Sequence, residues 1–160
     1  MKIALTAAAL VPLAIAAPAF AAMAPSAYVM TAGASDLFER QSAQIVLQTT
    51  KDPKVRSFAE MMIRDHTKST DMVKAAAMKS GLHPKPPMLM PKQTQMIADL
   101  RAAHGPARDS AYITQQKAAH QEALMVQQDY AANGTAPALR MAAGKIVPVV
   151  KHHIMMLDQM

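Results

Sequence analysis

From Tyr28 onward, apolar residues return at every third or fourth position, the period of a helix that buries one face. Val55, Phe58, Ala59, Met62, Val73, Ala76 and Ala77 trace one such stripe. Tyr112, Ile113, Ala123, Leu124, Tyr130 and Ala131 trace a second, and Leu139, Ala142, Ala143, Ile146, Val149, Val150, Met156 and Leu157 a third. Punctuation sets their ends. Ser26 can cap a first helix that runs to about Thr50, with Gly33 as its weak point. Asp52 as N-cap and Pro53 in the first turn start a second helix, which ends near Ser80 before Gly81. Pro84, Pro86, Pro87 and Pro91 cannot lie in a helix interior and predict a stiff crossover.

A short helix from Lys92 to His104 follows, stopped by Gly105-Pro106. Asp109 or Ser110 opens a third long helix, ending at Asn133-Gly134, and Thr135 caps a fourth with a kink at Pro148. Asn133-Gly134-Thr135 also matches a glycosylation sequon, but reads better as one helix end and the next helix start. Two tight loops and one long crossover predict an all-α fold, an antiparallel four-helix bundle with a short extra helix in that crossover.

The chain before Tyr28 follows another pattern. Lys2 precedes an apolar stretch from Ile3 to Ala17, Pro18 breaks it, and Ala19-Phe20-Ala21 has the small-x-small form of a signal-peptidase site. Residues 1–21 are expected to be a cleaved signal peptide and residues 22–160 the bundle, in the periplasm or secreted. The apolar stretch is short for a membrane core of roughly 30 Å, which argues against a retained anchor.

Composition narrows the chemistry. The absence of Cys removes disulfides, thiolate metal sites and cysteine nucleophiles. The net charge of +6 is scattered in single lysines and arginines among acids, with three Tyr, three Phe and no Trp, so no nucleic-acid platform is visible. A solvated, weakly basic face remains, compatible with an envelope protein or a second copy as partner. No Gly-x-Ser-x-Gly, phosphate-cradling loop or His-Glu-x-x-His occurs, and nothing supports hydrolysis.

The informative residues are polar ones that interrupt the stripes. His66 stands between Met62 and Val73, His120 between Ile113 and Ala123, and His153 between Val150 and Met156. On the first helix Glu39 shares a face with Asp36, Ala43 and Val46. Antiparallel neighbours meet at equal distances from their loop. Glu39 lies 13 residues before Asp52 and His66 lies 14 after it. Around Gly134, His120 lies 14 before and His153 lies 19 after, an offset of about 7 Å along the axis.

Two readings follow. In one, these groups form an inert buried hydrogen-bond network, persisting because every charge is paired. In the other, Glu39, His66, His120 and His153 hold a divalent metal such as zinc or iron, with Asp36, Asp65 and Tyr112 as outer partners. Interior neutral imidazoles would make the fold acid-sensitive, whereas a carboxylate that raises their pKa would reverse that trend.

Glu39, the run Phe58 to His66, Asp109-x-x-Tyr112, His120 and His153 together resemble an uncharacterised family of exported bacterial ferritin-like domains, often labelled outer-membrane proteins. The resemblance spans Tyr28 to Leu157 and implies a ferritin-like bundle with no established activity. The Glu-x-x-His motifs of di-iron bundles are absent, because Ile63, Lys117 and Val150 stand three residues before the histidines. Ferritin-type iron oxidation is therefore not expected.

Methionine is abundant, at 15 residues, and Met61-Met62, Met88-x-Met90, Met155-Met156 and His152-His153 suit copper(I) by ligand softness. Met also fills gaps in Ala-rich cores, and only Met88 and Met90 stand clearly off the stripes. The sequence thus supports an exported structural or interaction module, linked to stress, with a metal-binding protein as the alternative.

Overall fold

Asp52 begins the second helix as its position predicts. Its Oδ1 accepts from the backbone N–H groups of Lys54 at 2.7 Å and Val55 at 3.3 Å, and Pro53 supplies the preset φ of the first turn. A proline in the first turn recurs in every helix of the structure, a computed structural model that describes residues 22–160. The helices are α1 (Pro25–Leu47), α2 (Pro53–Lys79), α3 (Pro91–Ala102), α4 (Gly105–Asn133) and α5 (Pro137–Leu157). The expected signal peptide lies outside the described residues.

The start of α4 returns to the α1–α2 turn. Arg108 Nη1 donates to Thr49 Oγ1 at 3.0 Å, and Thr50 Oγ1 donates to Asp109 Oδ2 at 2.9 Å. The crossover through α3 therefore runs back down the bundle, so α2 and α4 rise together while α1 and α5 descend. Each of α1 and α5 packs between α2 and α4. The result is an antiparallel four-helix bundle of ferritin-like topology with α3 as the extra helix in the crossover.

Two apolar clusters fill it. Near the α1–α2 turn, Phe38, Val46, Val55, Phe58, Met62, Leu100, Tyr112 and Leu157 are buried together. At the other end, Tyr28, Val73, Tyr130, Leu139, Ile146 and Val150 form the second cluster, with the Tyr28 and Tyr130 rings stacked at 3.9 Å. Between these greasy ends lies a polar waist.

Several boundaries differ from the sequence reading. Gly105-Pro106 opens α4 rather than stopping a helix, because Gly105 adopts φ +54° and Pro106 fits the first turn. Thr135 does not cap α5: the N-cap is Ala136, without a side-chain bond. Helix α5 continues through Pro148, and Val149 faces outward rather than into the core. Gly33 lies within α1, where a Cβ would approach Pro87 Cβ to 3.1 Å. It lets the proline crossover seat directly on the helix.

Replacing Asp52 with Ala removes both amide contacts at the α2 start. It is expected to lower the unfolding free energy by about 1 kcal/mol, read as a lower urea midpoint at unchanged slope. An unchanged midpoint would contradict the cap assignment.

Candidate metal centre

His66 from α2, His120 from α4 and His153 from α5 meet in the waist, and one nitrogen from each lies within 4.8 Å of the others. All three are buried, at 5%, 0% and 0% exposure. Their ring centroids are 5.3 to 5.6 Å apart. His153 thus reaches the level of His120, against the expected offset. Counted from the helix ends instead, His120 lies 13 residues before Asn133 and His153 lies 16 after Pro137. The loop itself had been counted as rise, and the rest is within side-chain reach.

Each ring has an outer partner that can only accept. Asp36 Oδ1 lies 2.8 Å from His66 Nδ1, the Gln116 carbonyl 3.0 Å from His120 Nδ1, and Asp65 Oδ2 3.1 Å from His153 Nε2. Carboxylates and carbonyls accept a hydrogen bond from the nitrogen they face, so those three nitrogens carry the N–H in the neutral rings. The opposite nitrogens then carry lone pairs: Nε2 of His66, Nε2 of His120 and Nδ1 of His153. The last two face each other at 3.2 Å, and His66 Nε2 has no partner among the described residues. Three lone pairs converge on one small space and cannot satisfy one another.

Glu39 stands apart from this group. Its carboxylate is fully buried, its Oε1 lies 3.7 Å from His120 Nδ1, on the outer side of that ring, and neither oxygen has a hydrogen-bond partner among the described residues. The Tyr112 hydroxyl and Gln116 Oε1 are also buried without partners. Asp36 and Asp65 each lie behind a histidine ring, and Asp36 also accepts from Thr70 Oγ1 at 3.1 Å. Arg40 braces this side by donating to the His66 carbonyl at 3.1 Å. The sequence reading missed the structural roles of Gln116 and Gln127. Gln116 Nε2 donates to Ser42 Oγ at 3.1 Å, and Gln127 Oε1 accepts from Tyr28 at 2.7 Å. The available signal was the four-residue row Arg108, Tyr112, Gln116, His120 on α4.

Electrostatics divides the rings. Burial, with His66 and His153 adding repulsion, lowers His120 to about 3; burial and His66 lower His153 to about 4 despite Asp65. Burial opposes charge on His66 too, but the Asp36 hydrogen bond and the Asp36, Glu39 and Asp65 charges outweigh it and raise its pKa. Burial pushes Glu39 up to about 7, against the pull of His66.

The sign of the pH dependence follows. Unfolded, His120 and His153 take protons near 6.5, but folded they resist until about 3 and about 4, so acid favours unfolding. Glu39 is protonated earlier in the folded chain than at its unfolded value of 4.5 and offsets one of those two protons. His66 contributes fully at and below its unfolded 6.5, and loses that contribution as pH rises through its raised folded value. The balance is a loss on the order of 1 kcal/mol between pH 6.5 and pH 5. Urea unfolding of the chelator-treated protein should show a falling midpoint over that interval; a flat or rising one would contradict the neutral assignment of His120 and His153.

Comparison with known proteins adds the fold context. No curated protein matches the sequence. Among solved structures, CopM in the Cu(II)-bound form has a TM-score of 0.73 at 20% identity, covering 86% of this chain and 95% of that one. CopM in the Cu(I)-bound form gives 0.71 at 19%, covering 86% and 94%. A DUF305 fragment from Deinococcus radiodurans gives 0.71 at 16%, covering 84% and 93%. At these identities the likeness is one of fold. The family model for the domain of unknown function DUF4142 matches residues 11–160, and the chain belongs to that family.

Proposed function

We propose that this protein binds a transition-metal ion through His66, His120 and His153, and that the ion is copper. The observation that carries the reading is the convergence of three imidazole lone pairs whose tautomers are set from behind by Asp36, the Gln116 carbonyl and Asp65. Metal-ligating histidines are held in this way, with the second ring N–H given to a carboxylate or carbonyl that orients the ring. An inert network would pair its members, but here His66 Nε2 and both Glu39 oxygens are left over.

The ligand set favours copper or zinc over iron. Imidazoles suit zinc, copper, iron and nickel, and among divalent ions copper binds nitrogen sites most strongly. A carboxylate-rich site for iron would need Glu39 to enter the group, whereas it lies behind His120. CopM, of like fold, has been solved with copper in both oxidation states, which supports the same choice. One ligand separation already fits. Metal–nitrogen bonds of about 2.0–2.1 Å place nitrogens about 3.3–3.6 Å apart, and the His120–His153 pair is already at 3.2 Å.

Glu39, buried with no hydrogen-bond partner among the described residues, lies behind His120, where a bound cation would favour its ionised form. Export to the periplasm, from the Lys2 to Ala21 pattern, would place the site where copper enters the cell envelope. No helix among the described residues is long and apolar enough to cross a membrane.

Protein isolated without chelator and loaded with copper(II) should hold one ion per chain at the imidazoles, measured by elemental analysis with a competing chelator. His66→Ala should abolish that binding, and Asp36→Asn should weaken it by about 10–100-fold by releasing the ring. Affinity no better than millimolar in the intact chain, or undiminished binding in His66→Ala, would overturn the assignment.

A further inference from the structure

The α2–α5 seam carries methionines that take no part in the imidazole centre. Met61 lies one turn before Asp65 on α2, and Met156 lies one turn after His153 on α5. Asp65 and His153 are joined at 3.1 Å across antiparallel helices. A turn back on α2 and a turn forward on α5 therefore lead to the same side of that contact and the same level, about 5 Å away along the axis. Met160 follows Met156 by four residues, carried on by the turn in which its N–H donates to the Leu157 carbonyl at 3.1 Å. Met61, Met156 and Met160 are all half-buried and all pack against one apolar cluster, which contains Met62 and Leu157.

Half-burial separates these three from their immediate neighbours. Met62 is fully enclosed and acts as core, while Met155 projects into solvent at 57% exposure. Met61, Met156 and Met160 are partly desolvated yet still reachable. Thioethers are soft, uncharged donors that select copper(I) and bind zinc poorly. The Asp65 carboxylate, 27% exposed, lies one turn away and adds negative charge at this mouth.

We propose a second metal site, specific for copper(I), formed by the thioether sulfurs of Met61, Met156 and Met160 at the outer end of the α2–α5 seam. It does not depend on the imidazole centre for its ligands, and it binds a metal without any change in oxidation state.

The test is an anaerobic titration of the full chain with copper(I) against a chromogenic chelator, followed by NMR of methionine labelled at the ε-methyl carbon. The wild type should bind two copper(I) ions per chain, and the ε-methyl signals of Met61, Met156 and Met160 should shift together. A Met61→Leu, Met156→Leu, Met160→Leu variant keeps the side-chain bulk; it should lose one copper(I) and bind zinc unchanged. A His66→Ala, His120→Ala variant should lose the other ion and keep the three methyl shifts, so the two sites stand or fall separately. Unmoved signals of the three methyl groups through two equivalents of copper(I) would overturn the proposal, as would undiminished copper(I) capacity in the triple variant. The wild-type spectra decide the matter even where the triple variant fails to fold.

Discussion

The centre depends on three hydrogen bonds made behind the histidine rings, more than on the rings themselves. An imidazole free to rotate and exchange its N–H presents a donor as readily as an acceptor. Asp36, the Gln116 carbonyl and Asp65 remove that freedom, one ring each, from three directions. Two of them are buried: Asp36 is 4% exposed, and the Gln116 side of His120 is wholly enclosed. The bundle thus holds three acceptors toward one enclosed space, an arrangement that suits a cation. Such preorganisation has a cost, visible in the lowered basicity of His120 and His153 and the raised pKa of Glu39.

That cost is tolerable because the two apolar clusters lie on either side of the waist rather than through it. Burying a Phe, Leu or Val side chain stabilises by about 1.5–3 kcal/mol. Phe58, Val55, Leu100 and Leu157 act below the histidines, and Leu139, Val73 and Val150 above them. Helix α4 bridges both clusters with an inward row that is largely polar, Arg108, Gln116, His120 and Gln127, held in place by Tyr112 and Tyr130. Arg108 is buried only because its guanidinium donates to the Ala103 carbonyl at 2.8 Å and to Thr49. Polar residues inside the bundle therefore have distinct tasks: Arg108 ties the crossover to the α1–α2 turn, Gln127 braces Tyr28, and His120 faces the centre.

Much of this was legible in the chain, for reasons that differ by element. Asp52-Pro53 announced a helix start because capping and fixed φ are local effects, and the proline crossover was equally plain. The three histidines were visible because each breaks an apolar period. The α4 start was misread because Gly105-Pro106 stops or starts a helix according to the sign of φ at the glycine, which residue identity leaves open. Gln116 and Gln127 escaped notice because glutamine on a helix is ordinarily solvated, and only the packed bundle shows that these two face inward. Which carboxylate backs which histidine depends on helix rotation by a few tens of degrees. Asp36 and Asp65 could be named as partners from the sequence, but their assignment to His66 and His153 could not.

The same geometry gives the waist an inside and an outside. On the α1 side, Asp36, Glu39 and His66 have side chains at 6%, 1% and 6% exposure, and Arg40 and Thr70 lie across them. On the α2–α5 side, the His153 partner Asp65 is 27% exposed, and its second oxygen faces the Arg64 guanidinium at 3.4 Å. Arg64 is itself largely solvated, so that contact is weakly held. Of the three outer acceptors, Asp65 is the one whose hydrogen bond can break into water rather than into a low-dielectric interior. His153 is therefore the ring that can turn at least expense, and under the proposed function the α2–α5 seam is the side from which an ion would meet the imidazoles. Met61 and Met156 lie one turn farther out on α2 and α5, which under the same reading would place soft donors on the approach and nitrogen donors at its end.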